Sequence, residues 1–352
     1  MENLIQSLTE RVKQAASNNT PLAIHGGNSK SFYGGAIRGD ALDLRAYTGI
    51  IDYEPKELVL TVRAGTPLQE IETALEAAGQ MLPFEPPYYA DTATIGGTVA
   101  TGLSGPRRPY TGAVRDFVLG TRIINGKGED LSFGGRVIKN VAGYDVSRLM
   151  TGAMGTLGVL LDISFKVLPK PTDEITLRFE MDEATAIQRF NEWAGKPLPI
   201  SATSWHQGVA MVRLSGAAAG VKAAREKLGG EAVADAQAFW RDLRDHRAPF
   251  FEDAEPLRRL SVPSTTSPLS LDLPQWIEWG GALRWVKGAA DVKVLREKIA
   301  SVGGHATLFR HGDKSVGVFH PLAPVLAKIH VNLKAAFDPD NILNPGRMDN
   351  FS

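Results

Sequence analysis

Fourteen glycines fall within the 65 residues from 94 to 158, whereas the whole chain of 352 residues has 36. Glycine fills no core, but it lets backbone turn where other residues cannot and lets it approach a neighbour closely. The glycines here sit between strand-like runs at 117–124 and 157–167, so the stretch is not low-complexity linker. Glycine loops punctuating strands imply backbone passing close to something. Asn125-Gly126-Lys127-Gly128 reads as a tight hairpin turn between two such runs.

The flanking pattern places this stretch in a larger plan. Leu4, Leu8, Val12 and Ala15 recur at helical spacing, and with Glu2 and Glu10 they give an amphipathic helix rather than a signal peptide. Short strands are expected at 22–24, 41–44 and 58–62. A helix follows, with Thr66 as its cap, Pro67 at its first position, Gln69 completing a capping box and Gly79 ending it. Leu168-Pro169-Lys170-Pro171 marks a boundary. Beyond it, strands at 175–179, 200–205, 209–214, 282–286 and 306–309 alternate with helices at 184–193, 217–228 and 292–302, which predicts an antiparallel sheet with helices on one face. A last helix spans 324–337. The expected division is a first domain at 1–170, with lobes of about 1–50 and 51–170, a second at 171–323, and a segment at 324–352 that returns to the first.

Composition excludes several functions. The 39 basic residues balance the 39 acidic ones, so no basic field points to nucleic acid or anionic lipid. With no cysteine, the chain builds no disulfide, thiolate-held iron–sulfur cluster or cysteine zinc site, and it suits a reducing cytoplasm. No apolar run approaches membrane-spanning length, so any membrane association would come through partners. No Walker A loop fits, because five residues separate Gly120 from Gly126-Lys127 and Gly128 follows. Gly152, Gly155 and Gly158 are spaced by three and precede a strand, which is not the Rossmann fingerprint.

Three constellations remain. His25-Gly26-Gly27-Asn28-Ser29-Lys30 follows an apolar strand and reads either as an anion-binding nest or as a plain turn. Thr94-Ile95-Gly96-Gly97-Thr98-Val99-Ala100-Thr101-Gly102, with Tyr110-Thr111-Gly112 beyond, reads as backbone lying against a flat ring or as a glycine-rich surface loop. Lys139-Asn140-Val141-Ala142-Gly143-Tyr144-Asp145 leads to Gly155-Thr156-Leu157-Gly158-Val159. In this order, with Gly65, Gly79, Pro83 and Pro86, they resemble the FAD-binding domain of the vanillyl-alcohol-oxidase-like, or p-cresol-methylhydroxylase (PCMH)-type, flavoproteins. The segments 117–122, 139–145 and 318–322, with Trp279-Gly280-Gly281 and Arg284-Trp285, are similar to the E-subunit type of bacterial glycolate oxidase (glycolate dehydrogenase).

That resemblance implies an α+β fold, with a two-lobed PCMH-type FAD-binding domain followed by a smaller antiparallel-sheet cap. It implies that Gly26, Gly27, Asn28, Ser29 and Lys30 take the FAD diphosphate. Thr94, Ile95, Gly96, Gly97, Thr101, Ser104 and Gly112 would lie along the flavin, and Gly158 and Val159 at the adenine. Asn344 and Arg347 would close the site. FAD is expected to be non-covalent, since there is no cysteine and His25 precedes the glycines. The chemistry implied is hydride transfer from a 2-hydroxy acid. Arg284 is a candidate for its carboxylate and His320 for a base, each with a structural reading beside it. Relatives carry His-x-Gly-Asp-Gly-Asn-x-x-His near the C-terminus, but here His311-Gly312-Asp313 runs into Lys314 and position 318 is Val. No metal is therefore expected. A sister FAD-linked subunit and an iron–sulfur subunit are the implied partners. The alternatives are a structural FAD-holding subunit and a stand-alone FAD-dependent alcohol oxidoreductase.

Overall fold

The computed structural model describes residues 1–135 and 145–348. Ile50–Glu54, Val59–Arg63, Val159–Lys166, Val118–Ile124 and Asp130–Gly134 lie in that spatial order as an antiparallel five-stranded sheet. Leu60, Val62, Ile123, Ile163 and Phe165 project from it into a core closed by Leu68, Ile71 and Leu75 of the Leu68–Ala77 helix. That helix begins without its expected capping box. Pro67 is the cap residue and makes no side-chain bond. The Thr66 hydroxyl instead donates to Arg63 O at 2.7 Å and accepts from Gly49 N at 2.9 Å, tying two loops together.

The first lobe is small. The Glu2–Asn18 helix buries Ile5, Leu8, Val12 and Ala15 over a parallel pair of strands, Leu22–His25 and Asp40–Asp43. The C-terminal segment joins this lobe through a bridge from Leu22 to Leu343, which follows the Pro324–Phe337 helix.

Besides a short antiparallel pair, Gln80–Met81 with Leu168–Pro169, the remaining strands form one antiparallel sheet of eight, in the order Glu231–Val233, Asp173–Glu180, Val209–Gly216, Ile200–His206, Gln275–Glu278, Leu283–Lys287, Leu257–Ser261 and His305–Arg310. One face carries Leu177, Val212 and Leu214 beneath helices Glu183–Ala194 and Ala218–Leu228, and Leu260 and Val286 beneath Val292–Ser301. The other face carries Trp276, Trp285 and Phe309, which pack against Tyr33, Leu103 and Met154 of the first half. The Ala236–Arg244 helix also lies on this second face, with Trp240 in the same cluster. Period-2 alternation therefore decides which side chains of the sheet look toward the first domain.

Candidate functional site

After the Leu22–His25 strand, the chain turns at Gly26-Gly27 into a cleft. A Cβ on Gly27 would lie 1.4 Å from Thr92 O, and one on Gly26 would lie 2.5 Å from Thr94 Oγ1. Neither position accepts a side chain. Asn28 has φ 57°, and its Oδ1 sits 2.9 Å from His25 Nδ1. Such a left-handed residue in a turn directs successive amides toward one concavity. Among the described residues, none accepts a hydrogen bond from the amides of Gly27, Asn28, Ser29 or Lys30. The Lys30 side chain is only 5% exposed, and its Nζ donates to Ser29 Oγ at 3.3 Å and Tyr88 O at 3.5 Å. Burial pushes its ammonium down to about 7, with the charge of Asp245 opposing the shift.

The opposite wall is a helix, Ile95–Thr101, where the sequence suggested a loop. Thr94 caps it by accepting from Gly97 N at 3.3 Å. The Ile95 amide donates to Thr66 O and the Gly96 amide to Ala64 O. Its first amides thus have protein acceptors, and it offers the cleft a smooth surface of Gly96, Gly97, Ala100 and Thr101. A Cβ on Gly96 would meet Ala64 at 2.7 Å, so the helix lies directly on the sheet. Met154, Gly155, Gly158 and Leu160 form the floor.

Two C-terminal residues complete the lining. Asn344 Oδ1 accepts from Ile24 N at 2.8 Å, and its Nδ2 donates to Met154 O at 2.7 Å. Arg347 Nη1 donates to Gly35 O at 2.6 Å and Ser31 O at 3.2 Å, and its Nη2 to Tyr33 O. Arg347 is therefore a clamp on the loop after Lys30. Of the expected cofactor residues, Gly26–Lys30, Thr94, Gly96, Gly97, Thr101, Gly158, Asn344 and Arg347 line this one cleft. Ile95 and Val159 do not, because both are fully buried in apolar cores. Gly112 turns the chain at φ 118° beside Asp116. Ser104 accepts from Val114 N at 3.2 Å and lines a neighbouring cavity. Residues 139–144 lie outside the described residues.

The two expected substrate residues fall elsewhere. Arg284 pairs across the sheet with Leu260, on the helix-covered face. It is fully buried, donates to Gly281 O at 3.2 Å, Ser267 O at 3.1 Å and Thr266 O, and lies 3.6 Å from Glu183. Its guanidinium is thus held on the face turned away from the first domain. His320 accepts from Ala306 N at 3.4 Å and lines a surface groove with Arg296 and Pro321, apart from the cleft. Lys314 reaches back to donate to Phe32 O at 2.8 Å and Gly34 O at 2.7 Å.

What the sequence reading missed lies on the other face of the same strand ladder. Arg259 pairs with Trp285 and projects toward the first domain. Arg108, from the 105–112 turn, meets it there. Their guanidinium carbons lie 5.2 and 4.5 Å from the centre of the Trp279 ring. Tyr33, Tyr89, Thr101, Ser104 and Trp285 help line a cavity of about 170 Å³ around them. Thr101 lines both this cavity and the cleft. Burial, and then the nearby charge of Arg259, bring Arg108 down to about 10. The adjacent doublets Arg107-Arg108 and Arg258-Arg259 are the signal that pattern reading passes over.

Residues 5–134 match the model of a family described as FAD binding domain. Over 343 residues the chain is 52% identical to the glycolate oxidase subunit GlcE of Escherichia coli K12, covering 97% of each. The chain belongs to the glycolate oxidase E-subunit family of FAD-binding proteins. The D-lactate dehydrogenase of Anaerostipes hadrus is 31% identical over 47% of this chain and 35% of its own length. The glycolate oxidase subunit GlcD of Bacillus subtilis is 34% identical over 36% and 27%. Among solved structures, an alkyldihydroxyacetonephosphate synthase superposes with TM-score 0.68 over 97% of this chain and 75% of its own, at 16% identity, a likeness of fold. The PCMH-type α+β class is thereby shown, and FAD is the cofactor. The cleft fits FAD. Unpaired amides and a buried lysine are available for a diphosphate, and glycines without room for Cβ let backbone close on a flat group.

Proposed function

We propose that this chain is the FAD-bearing subunit of a 2-hydroxy-acid oxidase complex acting on glycolate. The full-length identity to GlcE carries the reading. The Gly27–Lys30 amides and Lys30 would hold the diphosphate, and the Gly96–Thr101 surface would lie along the flavin. Bound there, FAD supplies the two-electron acceptor by which a 2-hydroxy acid becomes a 2-oxo acid. The chain's own part is to orient acid and flavin and to exclude water between its two domains. No cysteine is present and His25 does not line the cleft, so FAD would be held without a covalent link. Acid denaturation should release all of the flavin into solution, and colour retained on the chain would refute this. We divide the chain functionally at the Leu168–Pro169 strand, with residues 171–323 as cap and 324–352 as part of the FAD domain.

One observation favours partner dependence. Among the described residues, the cavity beside the cleft is lined by no carboxylate and no imidazole. Its two phenols, Tyr33 and Tyr89, are pushed above the usual tyrosine range by burial and stay protonated, so a base for the hydroxyl proton would come from elsewhere. With no cysteine for an iron–sulfur cluster, a sister flavoprotein subunit and an iron–sulfur subunit are the proposed partners. Reconstitution tests this. The purified chain loaded with FAD should be reduced slowly or not at all by glycolate, and rapidly once the partners are added. Fast reduction of the chain alone would overturn partner dependence. Flavin reduction that stays absent in the assembled complex would favour a purely structural role.

A further inference from the structure

We propose that Arg108 and Arg259 together form the carboxylate seat of the acid substrate. Both line the cavity that shares Thr101 with the FAD cleft, and both lie against Trp279. Neither has a carboxylate within ion-pair distance among the described residues. Their neighbours behave otherwise. Arg107, one residue away, reaches Glu174 at 2.9 Å and Glu85 at 3.3 Å. Arg258, on the far face of the strand, donates to Gly288 O at 2.7 Å. Two like charges drawn from different domains into one recess repel each other and lose hydration. Arg107 and Arg213 are thus neutralised within the protein, Arg213 by Glu85 at 2.8 Å, whereas Arg108 and Arg259 have ring contacts and no carboxylate at that distance, which leaves them open to an anion from outside.

The recess selects for a small planar anion. A guanidinium fork matches a carboxylate in two parallel hydrogen bonds, and stacking on an indole fixes its plane. Trp279 is itself held by an indole bond to Gly105 O at 3.2 Å and by φ 56°, a strained setting for a bulky residue. Trp285 is held by its indole bond to Glu278 Oε1 at 2.7 Å. Thr101 lines both spaces, so an acid seated here lies beside the cleft. The two arginines come from opposite sides of the domain interface, so the seat exists only when the domains are docked.

The reading rests on the proposed 2-hydroxy-acid chemistry only for which acid binds. The test uses the FAD-loaded chain in its complex and oxalate, a two-carbon dicarboxylate with no C–H bond to oxidise. Oxalate affinity is followed by flavin absorbance and by tryptophan fluorescence. R259Q and R108Q should each weaken oxalate on the order of 10- to 100-fold. FAD content should stay at the wild-type value and the melting temperature at or above it, since one of two repelling charges is removed, and the oxalate affinity of R259K should fall between R259Q and wild type. If R259Q does not fold, R108Q and R259K carry the comparison. Wild-type protein that does not bind oxalate, unchanged affinity in folded variants, or loss of FAD in place of oxalate would each overturn the seat. Weakened oxalate in a complex inert toward glycolate would sustain the seat and sink the glycolate reading. Normal glycolate oxidation with unchanged oxalate affinity would do the reverse.

Discussion

At the scale of single residues, Lys30, in the proposed diphosphate site, would couple cofactor binding to protons. Burial holds its amine at about 7 in the FAD-free chain. A diphosphate bound beside it, as proposed, would favour the ammonium, so FAD binding should take up a proton at pH 8 to 9 and almost none at pH 6, where Lys30 is already charged. Calorimetry in buffers of differing ionisation enthalpy should record this uptake, and K30M should abolish it. Stability carries the matching sign. A pKa lowered from 10.5 to about 7 stabilises the fold above 10.5, and that contribution is lost as pH falls through 7. FAD-free K30M should therefore melt higher than wild type at pH 6, with the gap closing as pH rises toward 10. No such property is legible from Lys30 as a letter, because burial comes from Tyr88 and from the Asp245 region, far away in sequence. Arg284 shows the same limit. Sequence marked an arginine in an apolar strand, but only the sheet register shows that Arg259, not Arg284, faces the cofactor domain.

At the scale of elements, the glycines are not equivalent. G27A forces a methyl into Thr92 O and should abolish FAD binding together with the loop's shape. Gly97 lies on the cleft side of its helix, and a methyl there would have only Thr94 Oγ1 nearby, at 3.4 Å. Alanine at this position favours the helix by about 1 kcal/mol. G97A should keep or raise the melting temperature of the FAD-free chain and weaken FAD on the order of tenfold or more by overpacking the cleft. Equal FAD affinity in G97A would place the flavin elsewhere. These loops were legible because glycine spacing survives any error in strand boundaries. The helix Ile95–Thr101 was not, since two glycines near its start mask helical propensity while Thr94 supplies the cap from outside the pattern. Strands Leu257–Ser261 and Gln275–Glu278 were missed for another reason. The first carries two arginines on opposite faces, and the second is four residues long.

At the scale of the molecule, the two domains are locked by a charge network that sequence does not announce. Glu85 accepts from Arg213 Nη2 at 2.8 Å and from Arg107 N at 2.9 Å, while Arg107 reaches across to Glu174 at 2.9 Å. Burial alone would raise the Glu85 carboxyl, but Arg213 and Arg107 outweigh it and hold the group below its ordinary value. A lowered carboxyl contributes stability at neutral pH that is lost as pH falls below about 4 to 5, through the folded value. E85Q leaves two buried guanidiniums short of a charge and should cost about 3–5 kcal/mol. Because Arg107 adjoins Arg108, loosening this lock also separates Arg108 from Arg259 and opens the cleft where the cap's Lys314 holds Phe32 and Gly34. E85Q should thus lose FAD and oxalate together at pH 7, with interface tryptophan fluorescence shifting toward that of exposed indole, whereas R259Q loses oxalate alone. Should E85Q keep both ligands at wild-type affinity, docking would not depend on this network, and the aromatic cluster of Tyr33, Trp285 and Phe309 would have to hold the domains by itself.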